Sequence, residues 1–437
     1  MLSSSAKKYL QDAKNLFWHL PKSVFFSLIN GFPSRRLILI GVTGTDGKTT
    51  VSSLIYHTLT AAGIKAGLIS TIEAKIGSQT QTTGLHTTSP NPAILQKIFR
   101  LMIKQGVTHV VCEVTSHALD QNRFWGCHFK SSLITNTSHE HLDYHQSMAD
   151  YIKAKTKLFK QSSQAVLNKD DPSYSVIKKK CHCPVTSYSI DKSSPYQAKK
   201  IKIDSRLLQF QVNGLRLTTD SPYHYQIYNI LASLATIIKL GIDPAILIKT
   251  IKKFPDIKGR RELIPNNLAI KTIIDFAHTP AALKATLYSL KKTGHGRLIV
   301  IFGATGGRDQ SKRPEMGRVV SQYANIAIIT ADDTRNEKVA DINRQIKSGI
   351  KTRNSKEINN HHPGKKQIQK IHKLSKRQFI YFDIPQRQSA FNLAIKLAKK
   401  GDTVIACGKG HETTILHGHT DYPWSEAEAF RSAFRQK

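Results

Sequence analysis

One glycine-rich segment constrains the fold of this chain more than any other feature. The segment Gly41-Val-Thr-Gly-Thr-Asp-Gly-Lys-Thr-Thr50 follows an apolar run at residues 37–40 and precedes an apolar, helix-periodic run at residues 51–59. A strand, a glycine turn and a helix start, in that order, are typical of a phosphate-binding loop. Its backbone N–H groups and the dipole of the following helix attract an anion. The segment therefore predicts a nucleotide site.

The residue types in this segment predict distinct roles. Lys48 is expected to reach the outer phosphates, and the hydroxyl of Thr49 is expected to ligate Mg²⁺. The strict G-x-x-x-x-G-K-[ST] spacing would require glycine at Val42, whereas this chain carries it two positions later. A plain glycine-rich turn would not explain the adjacent lysine and threonine. We predict that the nucleotide is bound by Gly44, Thr45, Asp46, Gly47, Lys48, Thr49 and Thr50.

Short apolar runs alternate with helix-periodic segments along most of the chain. This alternation predicts parallel strands covered by helices. Short antiparallel strands are predicted within residues 185–219, and a second α/β unit begins near Gly259. The predicted class is α/β, with a central P-loop-type, mostly parallel sheet domain plus a C-terminal Rossmann-like domain. Strands are predicted at residues 37–40, 66–69, 107–111, 132–135, 270–275, 297–302, 325–330, 378–382 and 402–407, and helices at residues 51–62, 92–105 and 227–240.

These patterns divide the chain into three parts. In residues 1–36 we predict one or two short amphipathic helices that form an arm on the next domain. We predict that residues 37–255 form the central domain and that residues 256–437 form the C-terminal domain. Residues 351–376 are basic and polar, so we predict an exposed loop without chemistry. The alternative for the arm is peripheral contact with a membrane surface, because the segment is both basic and amphipathic.

Composition bears on where the protein is found. No apolar run approaches the roughly 18–20 residues of a membrane span, and the N-terminus has no signal-peptide pattern. Five scattered cysteines, an odd number, favour a reducing compartment over a disulfide framework. We therefore predict a cytoplasmic protein.

The net charge of +35 raises the question of a nucleic-acid partner. The 65 Lys and Arg residues are spread along the chain, and no RNP-like aromatic motif or zinc finger accompanies them. Binding of single strands would need a basic stripe with stacking aromatics. We interpret the charge mainly as solvated surface that also attracts phosphorylated substrates, and we expect no nucleic acid. A nucleic-acid-binding P-loop protein is the alternative from another functional class.

Two further segments place polar groups after predicted strands. Glu113 ends the apolar run Val110-Val-Cys-Glu113, where a carboxylate is costly unless it is paired or binds a cation. Residues 136–145 also follow a strand and are dense in possible metal ligands. Ligands of open α/β sheets bind at the carboxyl ends of strands. A P-loop threonine, a strand-end glutamate and a histidine can therefore hold Mg²⁺ against phosphates.

In order and spacing, five segments resemble those of the Mur ligase family. They are residues 41–50, 113–119 and 136–145, together with Asp275-Phe-Ala-His-Thr-Pro280 and Gly408-Lys-Gly-His-Glu412. The resemblance covers about residues 37–437 and is strongest to the MurE type, which makes muramoyl tripeptides. It implies a ligase in which a carboxylate attacks the γ-phosphate of ATP. The incoming amine then attacks the resulting acyl phosphate.

The resemblance also implies roles in a phosphate and metal site. Lys48 and Thr49 match residues that hold the phosphates and a first Mg²⁺, and Glu113 and His141 match residues that contact metal. The Mur ligase reaction needs the phosphate charge neutralised and the reactants held in line.

One lysine of the family carries a carbamate, and Lys155 matches its position. Carbamylation turns a cation into an anion, which could hold a second Mg²⁺. The residues alone do not distinguish Lys155 from Lys153 or Lys157, because all three could lie on a solvated helix face.

Other positions match those that contact the substrates in the family. Without the resemblance, the threonines before Ser89 would indicate only a turn. The resemblance implies that the muramoyl peptide contacts Thr87, Thr88, Thr115, Gln121 and Arg123, and that the ATP base and ribose contact Asn229, Arg260, Asp275 and His278.

The C-terminal domain is expected to select the amino acid. Asp332-Asp-Thr-Arg335 resembles the Asp-Asn-Pro-Arg signature of enzymes that add meso-diaminopimelate, in which the arginine pairs with the distal carboxylate. Asp333 and Thr334 depart from that signature. Lysine as the added amino acid would leave Arg335 facing a cation, so we favour diaminopimelate. The same pocket is expected to include Arg313, Gly408 and Glu412.

One departure concerns the start of the chain. MurE-type enzymes usually carry an N-terminal domain that grips uridine diphosphate, and only 36 residues precede the matching core here. We predict a monomer that adds a diamino acid to UDP-N-acetylmuramoyl-L-alanyl-D-glutamate with ATP and two Mg²⁺ ions. The alternative is a related ligase that acts on another carboxylate, such as a lipid-linked muramoyl peptide, a folylpolyglutamate-type or a cyanophycin-type substrate.

Overall fold

The computed structural model describes residues 4–77, 79–81, 89–204, 206–350 and 354–437. The chain separates into two compact units, Met1–Phe254 and Pro255–Lys437. Each unit contains a mostly parallel sheet with helices between its strands, which confirms the predicted α/β class.

Within its described residues, the first unit has a nine-stranded sheet and a separate three-stranded antiparallel sheet. Its helices are α1 (Ser4–Lys14), α2 (Leu20–Ile29), α3 (Lys48–Ala61), α4 (Pro92–Lys104), α5 (Ser116–Asp120), α6 (Leu142–His145), α7 (Met148–Lys160), α8 (Tyr174–Lys180), α9 (Tyr225–Lys239) and α10 (Pro244–Lys252), with a π-helical turn at Asn15–His19 and a 3₁₀ turn at Pro33–Arg36. Its strands are β1 (Ile38–Thr43), β2 (Ala66–Ile69), β3 (Ala74–Ile76), β4 (Gln79–Gln81), β5 (His109–Glu113), β6 (Phe129–Ile134), β7 (Ala165–Asn168), β8 (Val185–Ser189), β9 (Tyr196–Gln197), β10 (Lys199–Ile203), β11 (Leu208–Val212) and β12 (Leu215–Thr219).

The described part of the second unit has a seven-stranded sheet and a hairpin. Its helices are α11 (Pro280–Thr293), α12 (Lys312–Tyr323), α13 (Val339–Lys347), α14 (Lys365–Leu374), α15 (Arg387–Leu397) and α16 (Glu426–Arg435). Its strands are β13 (Glu262–Leu263), β14 (Lys271–Asp275), β15 (Leu298–Phe302), β16 (Ile326–Ile329), β17 (Ser355–Glu357), β18 (Phe379–Asp383), β19 (Thr403–Cys407) and the hairpin strands β20 (Thr414–His417) and β21 (Thr420–Pro423).

Strand β1 places the glycine-rich loop at one edge of the first sheet. It pairs in parallel with β5 on one side and β6 on the other, so all three strands end at the same edge. In this register Val42 lies beside Glu113, and Thr43 lies beside Ile134. Strands β1 and β5 are almost entirely buried, as expected of central parallel strands. Their ends therefore gather the loop after Thr43, the Glu113 carboxylate and the segment after Ile134.

Side-chain caps explain where the helices near this edge begin. Asn91 accepts from Ile94 N at the start of α4, and Thr115 accepts from Ala118 N at the start of α5. Ser147 accepts from the third residue of α7 in the same way. Such caps satisfy N–H groups that have no partner within the helix, so they define where each helix starts.

The second unit repeats the arrangement of strand ends at one edge. Its strands follow the order β13-β14-β19-β15-β16-β18-β17, and the pairs are parallel except for β13 with β14. Asp275, the last residue of β14, lies beside Cys407, the last residue of β19. The loops after these strands contain His278 and Gly408 and therefore start side by side.

The N-terminal arm, residues 4–36, packs on the first unit. Helix α2 contacts α4, and the Ser27 hydroxyl donates to Trp125 O (3.2 Å) and accepts from Gln96 Nε2 (3.1 Å). Among the described residues, no helix combines the length and the apolar character that crossing a bilayer requires.

The predicted loop at residues 351–376 is wrong for the part that the structure describes. Strand β17 pairs in parallel with β18, and α14 packs its apolar side chains on the core of the second unit. Ile368, Ile371 and Leu374 recur every third residue and contact that core. The many lysines obscured this short apolar stripe. Elsewhere, the strands predicted at residues 37–40 and 132–135 are found as the longer Ile38–Thr43 and Phe129–Ile134.

Candidate active site

The glycine-rich loop is held in shape by the segment that follows β6. Thr45 N donates to Asn136 O (2.9 Å), and Asp46 N donates to Asn136 Oδ1 (3.0 Å). Thr135 Oγ1 and Asn136 Nδ2 both donate to Asp46 O, at 2.6 and 3.0 Å. Because these contacts use the N–H groups of Thr45 and Asp46, the predicted anion would bind at the first turn of α3, whose N–H groups point out of the N-terminal end of the helix.

Two glycines in this loop cannot carry a side chain. Gly44 has a φ of +146°, and a Cβ there would lie 1.8 Å from Thr135 Oγ1. Gly47 has a φ of +83°, and a Cβ there would lie 2.6 Å from Asn229 Oδ1. Val42, in contrast, is a buried strand residue. The close contacts therefore explain why glycine stands at position 44 rather than at the position of the strict motif.

Two lysines donate to the same carbonyl of this loop. Lys48 Nζ donates to Gly44 O (3.1 Å) and to Thr45 O (2.7 Å). Lys155 Nζ, which comes from α7, also donates to Gly44 O (2.7 Å). The structure therefore brings together Lys48 and Lys155, which the sequence assigned to one site.

Lys155 differs from its neighbours on α7 in burial and in charge. Its side chain is 1% exposed, and its pKa is well below the usual value because burial disfavours the ammonium and Lys48 repels it. Lys153 is exposed to solvent, and Lys157 is paired with Asp120 (2.8 Å). The structure thus distinguishes three lysines that the sequence could not.

The buried carboxylate of Glu113 lies beside two hydroxyl groups. Its Oε2 accepts from Thr49 Oγ1 (3.3 Å) and from Thr71 Oγ1 (2.8 Å). A carboxylate with hydroxyl groups is the oxygen donor set that Mg²⁺ prefers, so these residues fit that cation. In the part of the chain that the structure describes, no group of three or more His, Cys, Asp and Glu is arranged to hold a metal. A cation here would therefore complete its shell with phosphate oxygens and water.

His141 belongs to a cluster of aromatic side chains near Lys155. It has a left-handed backbone (φ +58°), and its ring lies 4.6 Å from that of His117 and 6.4 Å from that of Tyr151. Lys155 Nζ lies 4.5 Å from the Tyr151 ring centroid, so the Tyr151 ring lies near both His141 and Lys155. Nearby, burial lowers the pKa of His145 to about 4, which keeps that imidazole neutral at pH 7.

Three of the predicted muramoyl-peptide residues lie around α5. Arg123 Nε and Nη2 donate to Gln121 Oε1, at 3.0 and 2.8 Å, and Nη1 donates to Ser89 O. The Ser89 hydroxyl lies 3.4 Å from Thr115 Oγ1. The side chains of this group are therefore brought together next to the end of β5. The two remaining residues lie outside the described part of the chain: Thr87 and Thr88.

Asn229 lies against the glycine-rich loop. It is buried on α9, and its Oδ1 occupies the space that a side chain at Gly47 would need. Its Nδ2 donates to Gln226 Oε1 (2.6 Å). The structure therefore places this predicted nucleotide residue next to the loop from which α3 begins.

The other three predicted nucleotide residues gather around Phe276 in the second unit. The Arg260 guanidinium lies 4.3 Å from the Phe276 ring centroid, and the His278 ring lies 4.6 Å from it. Asp275 Oδ2 accepts from Arg261 N (2.9 Å). Burial raises the pKa of Asp275, although the charge of Arg260 opposes the shift. This end of β14 thus combines a carboxylate, a guanidinium and two rings in edge-to-face contact.

A buried lysine organises the predicted amino-acid pocket. Lys409 Nζ lies 2.6 Å from Asp333 Oδ1 and 2.5 Å from Glu412 Oε2. Burial favours the neutral amine, but Asp332, Glu412 and Asp333 outweigh it and raise the pKa of Lys409. Burial also raises the pKa of Glu412 to about 6, against the pull of Lys409. A Cβ at Gly408 would lie 2.6 Å from Asp332 Oδ2, so glycine is needed beside this cluster.

The β20–β21 hairpin holds the predicted specificity residues. Arg335 has a φ of +50°, its N–H donates to Leu416 O (3.2 Å), and its carbonyl accepts from Gly418 N (2.8 Å). The Thr334 hydroxyl lies 2.7 Å from His417 Nδ1. The backbone of Arg335 is therefore fixed from both sides, in a conformation that costs energy for a non-glycine residue.

Arg313 is placed beside this pocket but is engaged by the protein itself. Its Nη1 and Nη2 donate to the two carboxylate oxygens of Glu337, at 2.7 and 2.9 Å. Nη1 also donates to Gln345 Oε1 (2.8 Å), and Nη2 donates to Thr305 O (3.0 Å). The hydrogen bonds from Arg313 lower the pKa of Glu337 to about 2. These contacts give the buried guanidinium a supporting role, and its direct contact with substrate stays a prediction.

Comparisons with known proteins agree with this architecture. Residues 42–237 match the family model "Mur ligase middle domain", and residues 259–410 match "Mur ligase, glutamate ligase domain". A UDP-N-acetylmuramoyl-L-alanyl-D-glutamate–2,6-diaminopimelate ligase of Geobacillus kaustophilus is 33% identical over 93% of this chain and 81% of its own length. The chain belongs to the Mur ligase family.

Other relatives of this Mur ligase carry the same name. A ligase so named from Caldanaerobacter subterraneus subsp. tengcongensis is 36% identical over 91% of this chain and 78% of its own length. A solved structure titled as that ligase superposes with a TM-score of 0.60 and 26% identity, over 92% of this chain and 78% of that one. As a family member, the protein is an ATP-dependent acid–amino-acid ligase of peptidoglycan precursor synthesis.

Two side chains, one at the candidate site of each unit, were not among the predicted residues. Lys409 stands inside the quoted segment Gly408-Lys-Gly-His-Glu412, but the sequence does not show that it is buried among carboxylates. Thr71 follows β2, which ends at the same edge of the sheet as β5. Its place after a parallel strand is the signal that could have identified it.

Proposed function

We propose that this Mur ligase adds meso-diaminopimelate to UDP-N-acetylmuramoyl-L-alanyl-D-glutamate, with ATP and Mg²⁺, in the cytoplasm and as a monomer. The observation that carries the proposal is the convergence of Lys48, Lys155, Thr49 and Glu113 at one edge of the first sheet. The names of the relatives, which are shared over most of their lengths, support the choice of substrates.

Lys48 and the start of α3 are proposed to bind the ATP phosphates. The Lys48 ammonium already lies over the loop, at 2.7 Å from Thr45 O, and a phosphate oxygen can replace such a carbonyl as its acceptor. The N-terminal turn of α3 adds N–H donors and a favourable dipole. Both groups stabilise the negative charge that develops when the substrate carboxylate attacks the γ-phosphate.

Thr49 and Glu113 are proposed to hold a first Mg²⁺, with His141 as a further contact. When bound, the cation neutralises phosphate charge and helps to align the reacting groups. The Glu113 carboxylate is buried and hydrogen-bonded to Thr49 and Thr71, so its position is set by the protein. A fixed carboxylate orients its ligand at little cost in conformational freedom.

Lys155 is proposed to be carbamylated. A neutral amine is the form that attacks CO₂, and the buried position beside Lys48 favours that form. The nitrogen forms one N–C bond while one C–O π bond of CO₂ breaks, and the proton lost from nitrogen passes to water, which leaves an anionic carbamate. That anion lies next to the Lys48 ammonium, which stabilises it, and could hold a second Mg²⁺.

The second unit is proposed to bind the amino acid. The Arg335 guanidinium would make a bidentate pair with the distal carboxylate of diaminopimelate. The carboxylates around Lys409 outnumber its single charge, so they favour the ammonium groups of a diamino acid. Arg313 and Glu337 would hold the neighbouring wall of the pocket in place.

An amino-acid-dependent phosphate-release assay tests the proposed reaction. It offers diaminopimelate, lysine and ornithine in turn with UDP-muramoyl dipeptide and ATP. We expect release with diaminopimelate and at most weak release with the others. Release that is fastest with lysine, or that is independent of the dipeptide, would contradict the proposed substrates while leaving the ligase class intact.

Two single substitutions test the proposed phosphate and metal site. We expect Lys48→Ala and Glu113→Ala to lower kcat by about 10³-fold, because each removes a charge that acts on the phosphates. Circular dichroism should show an unchanged fold. Near-normal ligation by either variant would show that the site is assigned to the wrong residues.

A further inference from the structure

The N-terminal arm presents an unusual surface to solvent. Among the described residues, sixteen large hydrophobic side chains are exposed, and half of them lie in the arm between Tyr9 and Ile29. Phe17, Trp18 and Phe25 are 76%, 63% and 57% exposed. Exposed apolar side chains concentrated in one segment mark a site of interaction with a membrane or another macromolecule. We define the apolar surface of the arm by its members: Leu10, Leu16, Phe17, Trp18, Phe25, Leu28 and Ile29.

Several uncharged polar side chains of the arm face the protein instead. Asn15 is buried in the π-helical turn and donates to Asp120 Oδ2 (2.6 Å), and Gln11 Nε2 donates to Tyr144 OH (3.0 Å). Ser23 and Ser27 are also buried. An ordinary amphipathic surface helix would turn its large apolar side chains toward the domain, whereas here uncharged polar groups occupy part of that contact and aromatic groups lie outside. The contacts with the domain therefore leave the apolar surface of the arm exposed, where it can contact a membrane or another macromolecule.

The charges of the arm indicate which kind of partner this surface contacts. Residues 1–36 contain six Lys and Arg residues and one acid, Asp12. Lys14, Lys22, Arg35 and Arg36 are exposed to solvent. Aromatic and aliphatic side chains flanked by basic residues are characteristic of segments that lie in the headgroup region of an anionic bilayer. A second copy of the chain would meet the same positive charge and would be repelled by it.

We propose that the arm binds the surface of an anionic lipid bilayer, with its apolar surface inserted at the headgroup level. The arm does not span the membrane, and its binding is independent of the proposed ligase reaction. Because Asn15 contacts Asp120 at the end of α5, and Lys8 pairs with Asp150 on α7 (2.5 Å), the arm is joined to two helices of the candidate active site. Binding would therefore place that site close to the bilayer.

Co-sedimentation of the full chain with vesicles tests this proposal. One set of vesicles contains phosphatidylcholine alone, and the other contains phosphatidylcholine with phosphatidylglycerol. We expect binding to the anionic vesicles that weakens at high salt. The double variant Phe17→Ser, Trp18→Ser should lower the partition coefficient by roughly tenfold or more, because it removes two large apolar groups from the inserted surface.

The chain offers a matched control for that variant. Val176→Ser with Tyr288→Ser also removes two exposed apolar side chains, but outside the arm, and should bind as the unaltered protein does. The variant Trp18→Phe should keep binding but lose the blue shift of tryptophan fluorescence on anionic vesicles. Both arm variants should keep their thermal stability, since the altered side chains are exposed.

Several outcomes would overturn the proposal. These are no binding to anionic vesicles, equal loss of binding in the control variant, or equal binding of the arm variant. Concentration-dependent dimerisation that the arm variant abolishes, without vesicle binding, would assign the surface to a second copy instead.

Discussion

Lys155 in the first unit and Lys409 in the second are almost equally buried, at 1% and 0% exposure, yet their pKa values shift in opposite directions. Lys155 donates to a carbonyl and lies beside the cation Lys48. Lys409 lies between Asp333 and Glu412. Equal burial therefore favours a neutral amine at one site and an ammonium at the other, because neighbouring charges decide the outcome.

This difference separates two uses of a buried lysine. A neutral amine is a nucleophile, which suits the carbamylation proposed for Lys155. A permanent cation holds carboxylates in place, which suits a pocket that must keep its shape while substrates exchange. Substitutions at the two positions should therefore affect different properties of the enzyme.

The largest expected effect is on turnover when Lys155 is replaced. Both Lys155→Met and Lys155→Arg should lower kcat by about 10³-fold, since neither side chain can become an anionic carbamate. Steady-state phosphate release measures the loss. Lys153→Ala, on the exposed face of the same helix, is the control and should retain activity. An active Lys155→Arg enzyme would exclude the carbamate.

The next largest effect is on stability when Lys409 is replaced. Lys409→Met leaves the buried carboxylate of Asp333 and the partly buried carboxylate of Glu412 without this cation, and we expect the free energy of unfolding to fall by about 3 kcal/mol. Lys155→Met, in contrast, removes an amine whose pKa is already lowered by burial and by Lys48 and leaves no carboxylate without a partner cation, so it should change stability by less than about 1 kcal/mol. Urea unfolding compares the two. Equal losses would mean that burial alone governs both sites.

A smaller effect is expected on substrate affinity when Arg335 is replaced. Arg335→Ala should raise the KM for diaminopimelate by about 10- to 100-fold, the equivalent of one lost charge-assisted pair. The KM for ATP should stay the same, and Arg344→Ala, an exposed arginine on α13, should change neither. A parallel rise in both KM values would argue against a role in amino-acid selection.

The smallest expected effect is the pH dependence carried by Glu412. Its folded pKa of about 6 lies above the ordinary value of 4.5, so the folded state binds the extra proton. The stability that this proton contributes is complete below pH 4.5 and is lost as pH rises through 6, with a total of about 1–2 kcal/mol. Glu412→Gln should flatten the unfolding free energy in that window. A slope that persists in the variant would assign it to another group.

The sequence could indicate which residues of the first unit gather at one edge of its sheet, because each of them lies at or just after the end of a strand. Lys48 and Thr49 follow strand β1, and Glu113 ends strand β5. These two strands pair in parallel, which brings their ends together. The choice among Lys153, Lys155 and Lys157 was not available, since it depends on which face of α7 is buried by distant segments.

The second unit was harder to predict, because its charged side chains bind one another. Arg313 was expected to contact substrate, and its partner Glu337 stands 24 residues away with no pattern that links the two. Lys409 was visible only as part of a motif. In both cases the sequence shows the residue types but not the ion pairs that determine their roles.

The tight contact between Gly44 and Thr135 also limits how this enzyme can change. Any side chain at position 44 would collide with a neighbour that itself shapes the loop. If the loop binds the nucleotide as proposed, a substitution at that position that prevented an inhibitor from binding would also damage the nucleotide site. A compound that gains its affinity from the Gly44 backbone would select for resistance elsewhere in the protein.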